Sequence, residues 1–218
     1  GAQPDEYNTP NLDRVKSGFA NLEKHIENMG KFGLQRVVAI NNFPADSEEE
    51  INWVIEKCAS IGVKAVLSKG WAEGGNGTSK LAEAVVEEIE TGKSNFTPLY
   101  DWNDSVKNKI EKIAKEIYGA DGVDYASEAE SGLRTIAKLG LENLPICMAK
   151  TQKSFSDNEK LVCRPTGFRI TVREFEIAAG AGFLIPILGN MMRMPGLPSV
   201  PASEGMNIDS NGVITGLS

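Results

Sequence analysis

The sequence predicts an α/β fold: a doubly wound, mainly parallel sheet over the first half, then a smaller α+β domain built on a mixed sheet. Three observations carry this prediction. Segments with helical periodicity alternate with short apolar runs over the first ~95 residues, the pattern of parallel strands joined by crossover helices. Glycines punctuate the ends of those segments at Gly33, Gly62 and Gly92. Further along, residues 168–177 alternate apolar with polar at period two, as a half-exposed strand does. The expected domains are 1–98 and 99–218.

Thr9 and Pro10 open a long helix, with Thr as N-cap and Pro at the first helical position. Leu12, Val15, Phe19, Leu22, Ile26 and Met29 recur at three- and four-residue steps as its apolar face. Val37-Val38-Ala39-Ile40 reads as a buried parallel strand. Ser47 and Glu50 form a capping-box pattern before a helix whose face is Ile51, Val54, Ile55 and Cys58. Residues 63–67 read as a second strand and 71–77 as a Gly-rich loop; Thr78 starts a third helix with Leu81, Val85 and Ile89 inward. Residues 94–104 read as a linker. Asp104 is placed to cap a helix bearing Val106, Ile110, Ile113, Ala114 and Ile117, and Gly119 to Gly122 break it. Ser127 and Glu130 form a second capping box before Leu133, Ile136 and Leu139. Residues 145–149 read as a strand, and 183–188 as the partner of 168–177.

Composition narrows the function classes. At 218 residues, 41% hydrophobic and 24% charged, the chain can bury a core without disulfides or metals. A net charge of -7 argues against a surface that tracks nucleic acid and offers no polybasic anchor for anionic lipid. No run of about 20 apolar residues occurs, so no membrane span is expected. Cys58, Cys147 and Cys163 form no CxxC spacing and read as reduced, buried thiols of a cytosolic protein. The single histidine, His25, lies among Glu23, Lys24 and Glu27 on a solvated helix face, which argues against a His-based zinc site or a Ser-His-Asp triad. No metal site is expected. The opening Gly-Ala-Gln-Pro reads as a cloning remnant or a processed end, so the chain is expected to be a piece of a longer one.

Ligands of parallel sheets bind at the carboxyl ends of the strands. There lie Asn41-Asn42-Phe43-Pro44 and the segment 68–77. Phe43 and Trp71 each follow a strand, and rings on two neighbouring loops can flank a flat heterocycle such as a pterin, purine or flavin. Plugging the sheet edge is the commoner use of such rings. Trp53, mid-helix, reads as packing. The Gly-rich loop before a helix can hold an anion through backbone N–H groups or be a plain turn, and it lacks the Gly-Lys-Ser/Thr ending of a phosphate loop. Lys150, Thr151 and Gln152 supply a cation, a hydroxyl and an amide for phosphate or carboxylate oxygens, with Ser154 and Ser156 close by; a solvated loop is the alternative. Arg164 and Thr166 form a second polar corner that either faces the same ligand or is an ordinary turn. Met191, Met192 and Met194-Pro195-Gly196-Leu197-Pro198 suit a nucleotide base, another subunit or a strand exit under the core.

Several blocks resemble the carboxy-terminal part of formate–tetrahydrofolate ligases. They are Phe19 to Asn28, Val38-Ala39-Ile40-Asn41-Asn42-Phe43-Pro44, Trp71-Ala72-Glu73-Gly74-Gly75, Lys115 to Gly122, Asn143 to Gln152, Met194 to Pro198 and Gly212 to Leu217. They occur in order over nearly the whole chain. The resemblance implies a ligase that joins formate to N10 of tetrahydrofolate at the expense of ATP, through formyl phosphate, giving 10-formyltetrahydrofolate. It implies that the pterin stacks between Phe43 and Trp71, with Pro44 and Leu67 lining the pocket. It implies ATP and Mg²⁺ in the full-length parent, a cytoplasmic location and a tetramer. The family's phosphate loop, ending Gly-Lys-Thr, lies far upstream in an amino-terminal region; no such motif occurs here, so no catalytic residue is assigned and the chain alone is expected to be inactive. Two other readings stay open: a stand-alone binding module for a flat heterocycle such as folate, and a structural subunit of a two-chain enzyme.

Overall fold

Asn11, not Thr9, begins the first helix: in the computed structural model its side chain accepts a hydrogen bond from the Arg14 backbone N–H and caps α1 (Leu12–Lys31). Asn is the stronger N-cap, and Pro10 stays outside the helix. Residues 6, 8–189 and 200–216 are described; the first residues, the 191–198 stretch and Leu217 lie outside the described residues.

The first half holds β1 (Val37–Asn41) and β2 (Lys64–Ser68), paired in parallel with Val38 opposite Ala65 and Asn41 opposite Ser68. Between them runs α2 (Glu48–Ser60), whose Ser47/Glu50 capping box is complete in both directions. Phe19, Ile26, Cys58 and Val63 form a buried cluster, joined at its margin by Trp53, Val54 and Val38. After β2 come α3 (Gly70–Glu73), a 3₁₀ turn (Gly74–Thr78) and α4 (Ser79–Glu90). The expected inward face of α4 is largely open: Val85 is 41% and Ile89 69% exposed, and only Ala84 is buried. A two-stranded sheet, its strands about 5 Å apart, is too narrow to cover a helix about 10 Å across.

The second half starts with α5 (Val106–Lys112), which continues as a π-helical turn (Ile113–Tyr118) and ends at left-handed Gly119. Its cap is Ser105 rather than Asp104, because the Asp104 carboxylate is taken by Lys112 at 2.7 Å. β3 (Gly122–Tyr125), which sequence reasoning missed because Gly119 to Gly122 read as a break, pairs in parallel with β4 (Arg169–Ala178). β4 pairs antiparallel with β5 (Phe183–Leu188), as expected. α6 (Ser127–Lys138) packs on β4, and its N-cap is Ala126; the Ser127 hydroxyl goes to Glu128 and the Glu130 carboxylate to Lys107, so the second capping box does not form. Residues 145–149 join the sheet only by single parallel bridges, Ile146 to Leu184 and Ala149 to Ile187. Ile110, Ala114, Ile136, Ile170, Val172, Leu184 and Leu188 form this half's core. A short hairpin, β6 (Asn207–Ile208) and β7 (Ile214–Thr215), was not expected.

The protein is thus of mixed α/β content, with one parallel two-stranded sheet and one mixed three-stranded sheet. All three cysteines are free, but only Cys58 is buried. Cys147 points outward because Ile146 and Met148, on either side of it, turn toward the core.

Between the two cores runs a polar seam along α1. Lys24 and Asn28, both buried, donate to the carbonyl oxygens of Glu116 and Ile117 at 3.0 and 2.9 Å. These are carbonyls at the end of the π-helical turn, which side chains commonly satisfy.

Candidate functional site

At the carboxyl ends of β1 and β2, the Asn42 backbone N–H donates to the Ser68 carbonyl at 2.9 Å. The chain then turns. Phe43 N–H donates to the Asp46 carboxylate at 2.7 Å, and Asp46 N–H returns to the Phe43 carbonyl at 3.0 Å. This closed turn holds the Phe43 ring out from the sheet. On the neighbouring strand the expected loop is one turn of α-helix and one 3₁₀ turn. Ala72 and Glu73 N–H donate to the Lys69 carbonyl, and the Thr78 hydroxyl donates to Gly75 O at 2.8 Å. Lys69 N–H in turn donates to Gly77 O at 3.0 Å, closing the loop at its base. A Cβ on Gly77 would lie 2.5 Å from the Lys69 carbonyl oxygen, so the closure requires glycine there.

These two turns bring Phe43 and Trp71 together. Their ring centroids are 6.3 Å apart with planes tilted by 48°. Phe43 is 50% and Trp71 73% exposed, whereas Trp53 packs edge-on against Phe19 at 5.5 Å. Pro44 is exposed beside Phe43, and Leu67 is partly buried opposite Ile40, one rung before the strand end. A cleft of ≈ 300 Å³ opens at the end of β1, lined by Ile40, Asn41, Asp46, Glu50 and Val54 among others. In it, hydrogen bonds from the Ser47 hydroxyl and the Asn11 N–H hold the Glu50 carboxyl below the usual carboxylate range.

Lys150, Thr151 and Gln152 line a separate cleft of ≈ 390 Å³ against α1. The Lys150 ammonium donates to the backbone carbonyls of Thr151 and Ser154 and lies 4.9 Å over the Tyr118 ring. Burial lowers its pKa, with Asp157 acting the other way. Arg164 and Thr166 do not line this cleft. Arg164 grips Glu27 of α1 in a two-pronged pair at 2.8 and 2.7 Å, and Thr166 is exposed on the turn before β4. Sequence reasoning missed Tyr118 and Asn28, and it set His25 aside. All three line the cleft. His25 stacks on Phe155, centroids 4.7 Å apart, and burial together with Lys150 keeps its pKa below the ordinary value. The available signal was weak: Asn21, His25 and Asn28 recur at helical steps as a second, polar stripe on α1.

A family model described as formate–tetrahydrofolate ligase matches residues 1–218, the whole chain. The chain belongs to the formate–tetrahydrofolate ligase family. Membership brings ligase chemistry on formate and tetrahydrofolate, within one-carbon metabolism, and the use of ATP with Mg²⁺ by the parent enzyme. Among the described residues no group of three or more His, Cys, Asp or Glu side chains is arranged to hold a metal, so the donor set for Mg²⁺ does not fit here and no step is routed through it. Among the described residues no helix is long and apolar enough to cross a membrane.

Proposed function

We propose that this chain carries the pterin pocket of an ATP-dependent formate–tetrahydrofolate ligase, the parent joining formate to N10 of tetrahydrofolate through formyl phosphate. The observation that carries this reading is the pairing of two exposed rings, Phe43 and Trp71, at the carboxyl ends of neighbouring parallel strands. Exposed aromatics cost free energy in water unless a ligand covers them, and two faces of one gap suit a flat bicyclic ring. A ligand held between parallel rings needs roughly 7 Å, twice a carbon–carbon contact. The rings stand slightly closer and tilted, so binding rotates Trp71, which sits on a four-residue helix with little packed around it. Pro44 and Leu67 form the pocket's floor and wall.

The rest of the proposal concerns division of labour. No Gly-Lys-Ser/Thr motif occurs in these residues, so the phosphate loop, the ATP chemistry and most of the transition-state charge stabilisation reside elsewhere in the parent. Residues 1–98 form the pterin-binding domain and 99–218 the second domain. Lys150, Thr151 and Gln152 offer anion contacts; Arg164 and Thr166 do so only if Arg164 leaves Glu27. The parent is a cytoplasmic oligomer, a tetramer by resemblance.

Fluorescence tests the pocket. Tetrahydrofolate added to this chain quenches Trp71, and the quench is lost in Trp71→Ala while Trp53 and Trp102 remain. An unchanged quench in Trp71→Ala overturns the pterin assignment. Incubation with ATP, Mg²⁺, formate and tetrahydrofolate yields no 10-formyltetrahydrofolate; robust product overturns the division of labour.

A further inference from the structure

We propose that the cleft between α1 and the 150–155 segment binds an N-acylated amino acid, holding its carboxylate at Lys150 and its amide N–H at Asn28. The inference does not depend on the pterin reading. Lys150 is a partly buried cation, and among the described residues no carboxylate forms an ion pair with it. Its two carbonyl bonds leave one of three N–H groups unassigned. The neighbouring Lys153 is taken by Glu159 at 3.0 Å, and His25 is disfavoured as a cation beside Lys150. The cleft therefore offers a single positive charge, which matches one carboxylate better than a polyphosphate.

Asn28 supplies the second, independent observation. It is 4% exposed and forms part of the cleft wall. Its Nδ2 is committed to Ile117 O, which fixes the amide orientation, and its Oδ1 has no partner. A buried acceptor without a donor is uncommon in folded proteins. A fully ionised phosphate brings no donor to it, whereas an amide N–H next to a carboxylate does. Tyr118 and the stacked His25 and Phe155 give flat walls for a planar acyl group, and ≈ 390 Å³ lies in the range of small-ligand sites.

His25 is the sole histidine of the 218 residues, so its imidazole resonance reports this cleft alone. Titration of the chain with p-aminobenzoyl-L-glutamate shifts that resonance saturably. Replacing the probe's amide by an ester removes only the N–H and weakens binding about fivefold or more. Lys150→Met weakens it at least about tenfold, the loss of a charge-assisted hydrogen bond. Phe43→Ala leaves it unchanged, which separates this site from the pterin pocket. No His25 shift at millimolar probe, equal affinity for amide and ester, or equal affinity for inorganic phosphate overturns the proposal. Should Lys150→Met fail to fold, the amide–ester comparison on the unaltered chain still decides.

Discussion

Asn28 of α1 donates a 2.9 Å hydrogen bond from Nδ2 to the carbonyl oxygen of Ile117, across 89 residues of chain. Lys24, one turn earlier, does the same for Glu116 at 3.0 Å. One helix thus buries its apolar face against the first core and lends its polar stripe to the end of the π-helical turn in the second half. That contact aligns Tyr118, Lys150 and His25 around one cleft, because Tyr118 closes the turn that Asn28 and Lys24 anchor.

Lys109 is fully buried, and its ammonium donates to the carbonyls of Glu142 and Leu144 at 2.9 and 3.2 Å. Lys109→Ala leaves two buried acceptors unpaired and costs roughly 2–4 kcal/mol, at about 1–3 kcal/mol for each orphaned group. Urea denaturation measures the loss. A midpoint within experimental error of the parent chain contradicts the anchoring role.

Gly77→Ala drives a methyl into the Lys69 carbonyl, only 2.5 Å from the ideal Cβ position. Overpacking of this kind costs about 1–3 kcal/mol. The loop that carries Trp71 shifts with it, so thermal stability and Trp71 fluorescence change together. Gly75→Ala is the control, since nothing lies within 4 Å of a Cβ there.

Phe43→Ala and Trp71→Ala separate binding from stability. Both rings are at least half exposed, so each substitution moves the unfolding free energy by no more than about 0.5 kcal/mol. Tetrahydrofolate affinity falls by ~1–3 kcal/mol in each, taking base–aromatic stacking as the analogue. A large stability loss with unchanged affinity assigns the rings to packing instead.

Glu50 makes the α1–α2 junction acid-sensitive. Its carboxyl is held below the ordinary 4.5 by the Ser47 hydroxyl and the Asn11 N–H. A carboxylate whose pKa falls on folding stabilises the protein above its unfolded pKa and loses that contribution as pH drops through the folded value. Stability measured from pH 6 downward therefore declines beneath about pH 4.5 more steeply in the parent chain than in Glu50→Gln. Parallel curves in the two proteins refute the linkage.

Local chemistry made much of this protein legible. The Ser47/Glu50 box, the period-two pattern of 168–177 and the apolar runs of β1 and β2 depend on residues a few positions apart, and each formed where its pattern lay. Positions of Phe43 and Trp71 just beyond two strands were readable for the same reason. Where capping went astray, a nearby competitor won: Asn11 over Thr9, Ser105 over Asp104.

What the tertiary structure decided lies at longer range. Sequence periodicity marks which residues share a helix face but not what that face meets, and so Lys24 and Asn28 looked solvated and are buried, while Val85 and Ile89 looked buried and are exposed. β3 was hidden because a four-residue strand flanked by glycines carries no period of its own and exists by pairing with β4, more than forty residues on. The 6.3 Å meeting of Phe43 with Trp71, and the cleft that joins His25 to Lys150 over 125 residues of chain, arise only when the packing of helices and sheets closes those long loops.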